Sequence, residues 1–489
     1  MKAMANVDFE DIICAPATVP GTGAIALIRV SGKGSLECAD RVISLRHGTL
    51  SQAKGYSLHY GTVSDGEDTL DEVLVSVFRA PLSYTGEDSV EISCHASEYI
   101  TSEILHRLCE QGARLAGPGE FTRRAYLHGK MDLSQAEAVA DVIAADSRTA
   151  LRVAQRQLRG DYSKAFRELR DELVTLSSLL ELELDFSEEE VEFANRDRLR
   201  SLAEGAIRKM TSLKESYRVG GSLKRGIPVA IVGAPNAGKS TLLNALLGQE
   251  RAIVSDIPGT TRDTIEETIV IKGVKYRFID TAGIRDTKEK IESLGIERSL
   301  TKAREAAIVI CLLDTTSPTD SEAVLGQLMP ILNLSEQKLL VVENKTDLAD
   351  SANVRSGTAT GTGNAAGDKC TMSETDKMTG VTCKAIWISA LKKDGLDALL
   401  TAIDGCGLAK KAESEVIMTS ERHYRAICEA LESMQALLAA LRSGISEELV
   451  AEDLRAAIRA VNSIFASISD SITPDEVLGE VFGRFCIGK

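Results

Sequence analysis

The sequence of 489 residues contains no uninterrupted apolar run of the roughly 18 residues that a membrane-spanning helix requires, so no membrane span is expected. Residues 1–10 are too acidic and too weakly apolar for a secretory signal peptide. The 10 cysteines include no Cys-x-x-Cys pair and no Cys/His cluster with the spacing of metal ligands, which indicates a reducing compartment rather than a disulfide framework. We therefore expect a cytoplasmic protein that does not associate with a membrane.

An excess of positive charge is also missing. The chain has 57 Lys and Arg against 72 Asp and Glu, which gives a net charge of −15. This balance argues against a protein that coats nucleic acid without specificity, although it allows a local basic patch. The length predicts about three domains of roughly 150 residues each, and the hydrophobic content of 44% is enough for sizeable cores.

One stretch in the middle of the chain carries the phosphate-loop pattern of Gly, four residues and then Gly-Lys-Ser. Its fixed positions are Gly233, Gly238, Lys239 and Ser240. An apolar run before it predicts a buried strand and an apolar run after it predicts a helix, which is the context that the motif needs. The glycines let backbone N–H groups turn toward phosphate oxygens, Lys239 can reach the β- and γ-phosphates, and Ser240 can ligate Mg²⁺. An ordinary glycine-rich turn explains neither the Lys-Ser pair nor both flanks.

Four further motifs follow in the order that a GTPase requires. Residues 259–263 (Gly-Thr-Thr-Arg-Asp) supply a switch threonine, and residues 280–283 (Asp-Thr-Ala-Gly) follow a strand and can approach Mg²⁺ and the γ-phosphate. Residues 344–347 (Asn-Lys-Thr-Asp) end another strand, and residues 389–391 (Ser-Ala-Leu) support the base. The Asp347 carboxylate can accept two hydrogen bonds from guanine N1–H and its 2-amino group. Adenine lacks both donors, so the predicted nucleotide is GTP.

Two positions depart from the Ras-type pattern. The residue after Gly283 is Ile284, so the glutamine that ordinarily orients the attacking water is missing. Asn236 lies inside the phosphate loop, where its amide oxygen could share a monovalent cation with the phosphates. Such a cation would supply the charge that an arginine finger otherwise supplies.

The predicted fold class is a multidomain protein with an N-terminal α+β domain, a central all-α domain and an inserted α/β P-loop GTPase domain of the Ras-like type. The predicted boundaries are 1–125 for the α+β domain, 126–222 and 409–489 for the two parts of the helical domain, and 223–408 for the GTPase domain. Within the GTPase domain, residues 351–380 are rich in Gly, Ser and Thr without an apolar period. This composition predicts a flexible surface insertion that is disordered in the free protein.

Local patterns give further predictions. Strands are predicted at residues 23–30, 74–78 and 89–93, and a helix at residues 96–109. Residues 134–137 (Ser-Gln-Ala-Glu) predict a capping box, and residues 218–222 (Arg-Val-Gly-Gly-Ser) predict a hinge-like linker. The amphipathic helices after residue 414 are expected to pack on the helices of residues 127–217.

The domain order, the motifs and the end of the chain together resemble the tRNA modification GTPase MnmE (TrmE) family. The sharpest marks are residues 259–263, residues 280–283 and the terminal residues 486–489 (Cys-Ile-Gly-Lys). The resemblance covers nearly the whole chain, and only residues 351–380 have no counterpart in it.

This resemblance implies a function in tRNA modification. Members of the family act as homodimers with an FAD-containing flavoprotein, MnmG (GidA), in a heterotetramer-type complex. Together they attach an aminomethyl or carboxymethylaminomethyl group to carbon 5 of the wobble uridine of certain tRNAs. The one-carbon unit comes from a tetrahydrofolate derivative, either 5,10-methylene- or 5-formyl-tetrahydrofolate. The N-terminal domain of the family binds this folate and forms the dimer.

Carried over by motif, the implied folate contacts are Arg29, Glu91, Lys130 and Lys489. Lysine and arginine suit the carboxylates of a folate tail, and a carboxylate suits the donors of a pterin. Arg29 and Glu91 lie on apolar strands, where a charged residue is more often at a strand end or paired than used as a ligand. Cys486 is an implied nucleophile, although a terminal cysteine is as often a packing residue.

The resemblance also implies a potassium-dependent GTPase in which two nucleotide domains meet face to face. Four residues would hold K⁺: Asn236 by its side chain, and Ser255, Ile257 and Thr260 by backbone oxygens. Ser240 and Thr261 would hold Mg²⁺. Glu292 would position the attacking water through a bridging water; the alternative interpretation is that Glu292 is an ordinary exposed residue on a helix.

The implied catalytic residues are Glu292, Asn236, Lys239 and Cys486. The implied GTP-binding residues are Asn236, Ala237, Gly238, Lys239, Ser240, Thr241, Ser255, Asp256, Ile257, Pro258, Gly259, Thr260, Thr261, Asp280, Thr281, Ala282, Gly283, Asn344, Lys345, Asp347, Ser389, Ala390 and Leu391.

Two other functions stay open. A regulatory GTPase of ribosome assembly would have no modification chemistry of its own. Such GTPases usually append a basic RNA-binding module, whereas the appended parts here are acidic overall. A folate-binding scaffold with a vestigial GTPase conflicts with the intact nucleotide motifs. Retention of folate by residues 1–125 would separate the modification enzyme from the ribosome-assembly GTPase.

Overall fold

The computed structural model describes residues 11–65, 68–186, 196–249, 267–279, 300–348, 373–375, 382–407, 416–443, 447–465, 482, 483, 485 and 488. The chain forms two compact units, and neither is continuous in sequence. The first unit comprises Met1–Ala144, Ala154–Met210 and Arg425–Lys489. The second comprises Ala145–Val153 and Thr211–Tyr424.

The first unit is built on a sheet of seven described strands. They are β1 (Ile12–Pro16), β2 (Ile25–Ser31), β3 (Ile43–Leu45), β4 (Ser57–Asp65), β5 (Asp68–Phe78), β6 (Ser89–His95) and β7 (Ala113–Leu115). Their order across the sheet is β3-β4-β5-β6-β2-β1-β7, and neighbours are antiparallel except for β1 and β7. The three predicted strands are confirmed within β2, β5 and β6. The other four are short or carry many polar residues, so the apolar pattern alone did not predict them.

Helices α1 (Ser35–Asp40) and α2 (Glu98–Glu110) pack on one face of this sheet. Along β2, Ala26, Ile28 and Val30 are buried in the core, whereas Arg29 between them points to the opposite face because side chains alternate along a strand. The helix predicted at residues 96–109 is confirmed as α2. The charged residues of β2 and β6 are therefore left on the face that the core does not use.

The helices after α2 complete both units. They are α3 (Glu120–Leu127), α4 (Leu133–Ala144), α5 (Arg148–Leu158), α6 (Asp161–Phe186), α7 (Arg196–Arg225), α8 (Lys239–Gln249), α9 (Pro318–Leu328), α10 (Leu396–Gly405), α11 (Glu421–Ser443) and α12 (Glu447–Phe465), with 3₁₀ turns at Leu50–Gln52 and Met329–Ile331. In the first unit, α12 packs against α4 and α6. Leu176 on α6, Leu437 on α11 and Leu454 on α12 line the same small cavity. Helices from before and after the nucleotide-binding segment thus share one core.

The N-terminus of α4 is capped by Asp132 and Gln135. The Gln135 N–H donates to Asp132 Oδ1 at 2.9 Å, and the Asp132 N–H donates to Gln135 Oε1 at 2.9 Å. This reciprocal pair is a capping box two residues before the predicted one, so the prediction at residues 134–137 is wrong. The physical reason is that Asp caps a helix as well as Ser does, while Ser134 lies inside the helix and is buried.

The second unit is built on a sheet in which most strands are parallel. Its strands are β8 (Ile227–Gly233), β9 (Glu267–Ile271), β10 (Val274–Ile279), β11 (Ile308–Asp314), β12 (Lys338–Asn344), β13 (Ser373–Thr375) and β14 (Thr382–Trp387). The order is β13-β14-β12-β11-β8-β10-β9, and only the edge strands β9 and β13 are antiparallel to their neighbours. The carboxyl ends of β8, β11 and β12 meet at one edge, which is where ligands bind in open α/β sheets.

The predicted insertion at residues 351–380 lies largely outside the described residues. Three of its residues, Ser373–Thr375, form β13 and pair with β14 in antiparallel register. For these three residues the expectation of a segment without regular structure is wrong, since backbone pairing to an edge strand needs no apolar period.

Residues 218–222 do not form the predicted hinge, because α7 continues through them. A Cβ added to Gly220 would lie 2.1 Å from the Met418 carbonyl oxygen and 2.8 Å from Ile417 Cγ2. The Met418 N–H also donates to Ser216 Oγ at 3.1 Å. Gly220 therefore lets a second backbone segment cross the helix closely, and its role is close packing rather than flexibility.

Among the residues that the structure describes, no helix is both long enough and apolar enough to span a membrane.

The adjacent glycines of α7 give a matched test of this packing. Gly220→Ala should destabilise the second unit by about 1–3 kcal/mol, because a methyl group collides with backbone that cannot rotate away. Gly221→Ala should instead be neutral or stabilising by up to about 1 kcal/mol, since its Cβ would meet only the flexible Arg225 side chain at 3.3 Å and alanine favours a helix. Calorimetric melting of both variants measures the difference. Equal melting temperatures for the two variants would contradict the crossing.

Candidate functional site

The phosphate loop joins the carboxyl end of β8 to the N-terminus of α8. Asn236 lies in this loop with a φ of 63°, and Gly238 has a φ of 97°. Asparagine and glycine tolerate this left-handed region better than other residues do. A Cβ on Gly238 would lie 2.4 Å from Asn344 Nδ2. The loop therefore curls tightly in front of the helix, as the sequence motif requires.

Lys239 is folded onto the loop that it ends. Its Nζ donates hydrogen bonds to the carbonyl oxygens of Gly233 and Ala234, both at 2.9 Å. Burial lowers the pKa of this lysine, and it forms no ion pair with a carboxylate in the part of the chain that the structure describes. A partly buried ammonium held only by carbonyl dipoles fits a phosphate-binding role, because an anion can satisfy its charge.

Asn344, at the end of β12, connects the phosphate loop to the base loop. Its Nδ2 donates to the Ala237 carbonyl at 2.8 Å, and its Oδ1 accepts from the Ala390 N–H at 3.0 Å. The side chain is buried, so these two bonds replace those that water would make. Ala237 and Ala390 lie 107 and 46 positions from Asn344 in sequence, and both hydrogen-bond to its side chain.

Asp347 is held at the mouth of the base loop by Ser389. The Ser389 hydroxyl donates to Asp347 Oδ1 at 2.7 Å and keeps the pKa of that carboxyl below its ordinary value. The backbones of Ser389 and Asp394 exchange hydrogen bonds at 3.0 and 3.1 Å, which closes the loop that carries Ala390 and Leu391. The structure thus brings two motifs that the sequence predicted separately into one base-binding loop pair.

Three residues that the motif analysis missed lie beside these loops. Asp314 is the last residue of the buried strand β11, and Thr315 and Thr316 follow it directly. Lys345 Nζ donates to Asp314 Oδ2 at 2.6 Å, and Thr315 Oγ1 donates to the Asn344 carbonyl at 2.9 Å. The only available signal was that a carboxylate ends an apolar run at the same sheet edge as the phosphate loop.

Several predicted site residues lie outside the described residues. They are Ser255, Asp256, Ile257, Pro258, Gly259, Thr260, Thr261, Asp280, Thr281, Ala282, Gly283, Glu292, Cys486 and Lys489. Within the described residues, no group of three or more His, Cys, Asp or Glu side chains could hold a metal ion. Ser240 and Thr241 are described, and both lie in the first turn of α8.

Arg29 and Glu91 form an ion pair on the first unit's sheet. They are directly opposite on β2 and β6, and Arg29 Nε and Nη2 both donate to Glu91 Oε1, at 2.9 and 2.8 Å. The guanidinium carbon lies 5.0 Å from the centre of the Tyr84 ring and 5.6 Å from that of Phe121. The expectation that these charges are paired is confirmed. Because both bonds end on Oε1, Glu91 Oε2 takes no part in this pair.

Lys130, which follows α3, contacts the segment that connects β5 and β6. Lys130 Nζ donates to the Pro81 carbonyl at 2.9 Å, and His128 Nδ1 lies 2.9 Å from the Thr85 carbonyl. From the chain terminus, Gly488 approaches β1 so closely that a Cβ would lie 2.0 Å from the Pro16 carbonyl oxygen. Gly488 therefore lies directly against the first strand of the N-terminal sheet.

Arg124 on α3 is fully buried and was not predicted as important. It pairs with Asp11, with Glu87 at 3.1 Å and with Glu120 at 3.3 Å. Burial disfavours ionisation of Glu120, but hydrogen bonds from Arg114 and the Gly117 N–H outweigh it, so the pKa of Glu120 is lowered. A buried charge needs such partners, and here they fix the loop that holds Glu87 against α3.

A curled phosphate loop, a guanine-type base loop and a sheet of mostly parallel strands define a P-loop GTPase. One family model, described as the MnmE helical domain, matches residues 133–486, and another, described as the GTP-binding protein TrmE N-terminus, matches residues 12–130. The chain belongs to the MnmE family and is a GTP-hydrolysing enzyme.

Curated relatives match over nearly their full lengths. The chain is 44% identical over 486 residues to a tRNA modification GTPase MnmE of Flavobacterium johnsoniae, covering 98% of this chain and 99% of the relative. It is 44% identical to that of Bacteroides thetaiotaomicron, covering 98% and 100%. It is 45% identical to that of Porphyromonas gingivalis, covering 98% of each.

The Asn344 connection can be tested directly. Asn344→Ala should weaken GDP binding and destabilise the second unit by about 1–3 kcal/mol, because a buried carbonyl and a buried N–H each lose a partner. Asn333→Ala is the matched control, since Asn333 Oδ1 accepts from Ser335 in an exposed turn. Titration calorimetry and thermal melting supply the two measurements. Unchanged GDP affinity in Asn344→Ala would show that the connection is dispensable.

Proposed function

We propose that this GTPase modifies the wobble uridine of certain tRNAs together with a flavoprotein partner. The supporting observation is that its curated relatives, which are named tRNA modification GTPases, match 98% of the chain. The match therefore includes the sequence of both units. The modification is an aminomethyl or carboxymethylaminomethyl group on carbon 5 of the base. The working assembly is a homodimer bound to FAD-containing MnmG.

The nucleotide chemistry follows from the residues of the second unit. Asp347 reads guanine with its carboxylate, and Ser389 holds that carboxylate in place. Lys239 exchanges two carbonyl partners for phosphate oxygens when GTP enters. Ser240 and Thr261 would hold Mg²⁺, which supplies charge neutralisation between the β- and γ-phosphates.

A potassium ion is proposed beside the phosphates. Asn236 fits this role, because its backbone is left-handed and its side chain is exposed on the loop. Backbone oxygens of Ser255, Ile257 and Thr260 would complete the ion's surroundings, and K⁺ would supply the positive charge of an arginine finger. Glu292 would position the attacking water in place of the missing glutamine.

The first unit is proposed to bind 5,10-methylene- or 5-formyl-tetrahydrofolate. Glu91 Oε2 suits the donors of a pterin, since both Arg29 bonds end on the other oxygen. Lys130 and Lys489 suit the carboxylates of the folate tail, and Gly488, the neighbour of Lys489 in sequence, lies against Pro16 of β1. Cys486 belongs to the same terminal segment, and its proposed role is that of a nucleophile.

The function is tested by mass spectrometry of wobble uridines from a deletion strain. We expect the modified uridine to disappear and to return with the wild-type gene. Glu91→Gln and Lys239→Ala should fail to restore it, because one loses the carboxylate for the folate and the other the ammonium for the phosphates. Glu103→Gln is the matched control, since Glu103 forms an ion pair with Arg107 at 3.0 Å on α2 and has no proposed ligand.

Purified Glu91→Gln should also retain less 5-formyl-tetrahydrofolate than Glu103→Gln does. Normal wobble uridines in the deletion strain, together with accumulation of immature ribosomal subunits, would instead support the regulatory ribosome-assembly GTPase.

The cation is tested by steady-state GTP turnover at equal ionic strength. Hydrolysis should be faster in K⁺ than in Na⁺ and should rise with protein concentration, because two nucleotide domains close around the ion. Asn236→Ala should remove the K⁺ effect while GTP still binds, since Lys239 and the loop amides remain. Glu292→Ala should abolish hydrolysis while K⁺-dependent pairing, followed by light scattering with a transition-state mimic, persists. Equal rates in both salts without concentration dependence would leave only a slow, Ras-like GTPase.

A further inference from the structure

The Asn, Lys and Asp side chains of the Asn-Lys-x-Asp motif are all held by segments from elsewhere in the second unit. Asn344 is held by the phosphate loop and by Ala390, and Asp347 is held by Ser389. Lys345 is held by Asp314, which lies at the end of β11. The first two attachments follow from known motifs, whereas nothing in the motif pattern assigns a role to Asp314.

The Asp314 carboxylate is divided between two partners. Oδ2 accepts from Lys345 Nζ at 2.6 Å, and Oδ1 accepts from the Thr316 N–H at 2.9 Å and the Thr316 hydroxyl at 2.6 Å. Its side chain is 11% exposed, so water competes little for these bonds. Burial opposes ionisation of Asp314, but the bonds from Lys345 and Thr316 outweigh it and hold the pKa below its ordinary value.

The path of the Lys345 side chain crosses the ligand edge of the sheet. Asp314 and Asn344 are opposite each other in the parallel register of β11 and β12. Lys345 has a φ of 65°, a left-handed conformation that carries the backbone off the end of β12. Its ammonium nevertheless returns to Asp314 on β11, so its four-carbon stem lies across the carboxyl ends of two adjacent strands. Asp347, the residue predicted to bind guanine, lies two positions farther along the same loop.

We propose that Asp314 is a positioning residue for the GTP base. By fixing the ammonium of Lys345, it holds the methylene stem as a flat apolar wall against the face of the guanine ring. Thr315 holds the adjoining end of β12 in place, because its hydroxyl donates to the Asn344 carbonyl at 2.9 Å. Asp347 accepts hydrogen bonds from the edge of the base, and the Asp314–Lys345 pair holds the lysine stem that contacts the face of the base.

A contact with the face of a ring predicts a distinctive pattern of substrate effects. Inosine triphosphate lacks the 2-amino group of guanine but presents the same kind of flat ring. Asp314→Ala should therefore raise KM for GTP and for ITP by a similar factor, of about tenfold, because a charged hydrogen bond that orders the lysine is lost. At saturating nucleotide kcat should stay near the wild-type value, since the γ-phosphate end is untouched. Asp347→Asn should instead change the ratio between GTP, ITP and xanthosine triphosphate.

The matched control is Asp404→Ala, which removes another Asp–Lys pair of the same unit, to Lys272 at 3.2 Å, away from the nucleotide loops. It should leave KM unchanged. Asp314→Asn keeps an accepting oxygen and should give an intermediate KM, and it serves as the test if Asp314→Ala does not fold. Lys345→Met keeps a long stem without the charge, and combining it with Asp314→Ala should add little to either single change.

The measurement is steady-state turnover with GTP and ITP, together with calorimetric titration of GDP and IDP. Parallel losses for the two bases, a preserved kcat and non-additivity with Lys345→Met support the proposal. An unchanged KM in Asp314→Ala, a loss confined to one base, or a fall in kcat at constant KM would each overturn it.

Discussion

The nucleotide site depends on one buried amide. Asn344 donates to the phosphate loop and accepts from the base loop, so a single rigid group sets the spacing between the loops that meet the two ends of GTP. A carboxylate of the same shape offers no donor for the Ala237 carbonyl, and a hydrophobic residue leaves both loops unpaired in a dry interior. The chemistry of the site therefore rests on an atom-by-atom match of one donor and one acceptor.

In the first unit, too, a buried polar group requires partners, but here the group is charged. Arg124 is fully buried and needs carboxylate partners, which fixes Asp11, Glu87 and Glu120 around α3. The Arg29–Glu91 pair has side chains that are 15% and 22% exposed. A ligand can reach this second pair without opening the core. The buried cluster thus provides a fixed frame, and the partly exposed pair is the part that can exchange contacts.

The sequence was informative wherever a function needs fixed residue types at a short spacing. The phosphate loop, Asn344, Lys345, Asp347 and Ser389 were all predicted, because guanine and phosphate recognition requires these particular groups. Predictions from the sequence were wrong where one residue type can serve two structural roles, or where two residue types can serve the same role. The Gly-Gly pair of α7 was interpreted as a hinge, but Gly220 serves close packing in a continuous helix. Asp132 rather than Ser134 caps α4, because both residue types make good caps.

Taken by itself, the sequence determined the order of the motifs, the choice of guanine and the amphipathic helices on either side of the nucleotide-binding segment. These follow from chemistry and periodicity that are local along the chain. Only the tertiary structure decided that Asp314 meets Lys345 and that Glu91 presents one oxygen to Arg29. Such contacts join residues 31 and 62 positions apart. They depend on strand order and register, which are set by the packing of the whole sheet and leave no local pattern.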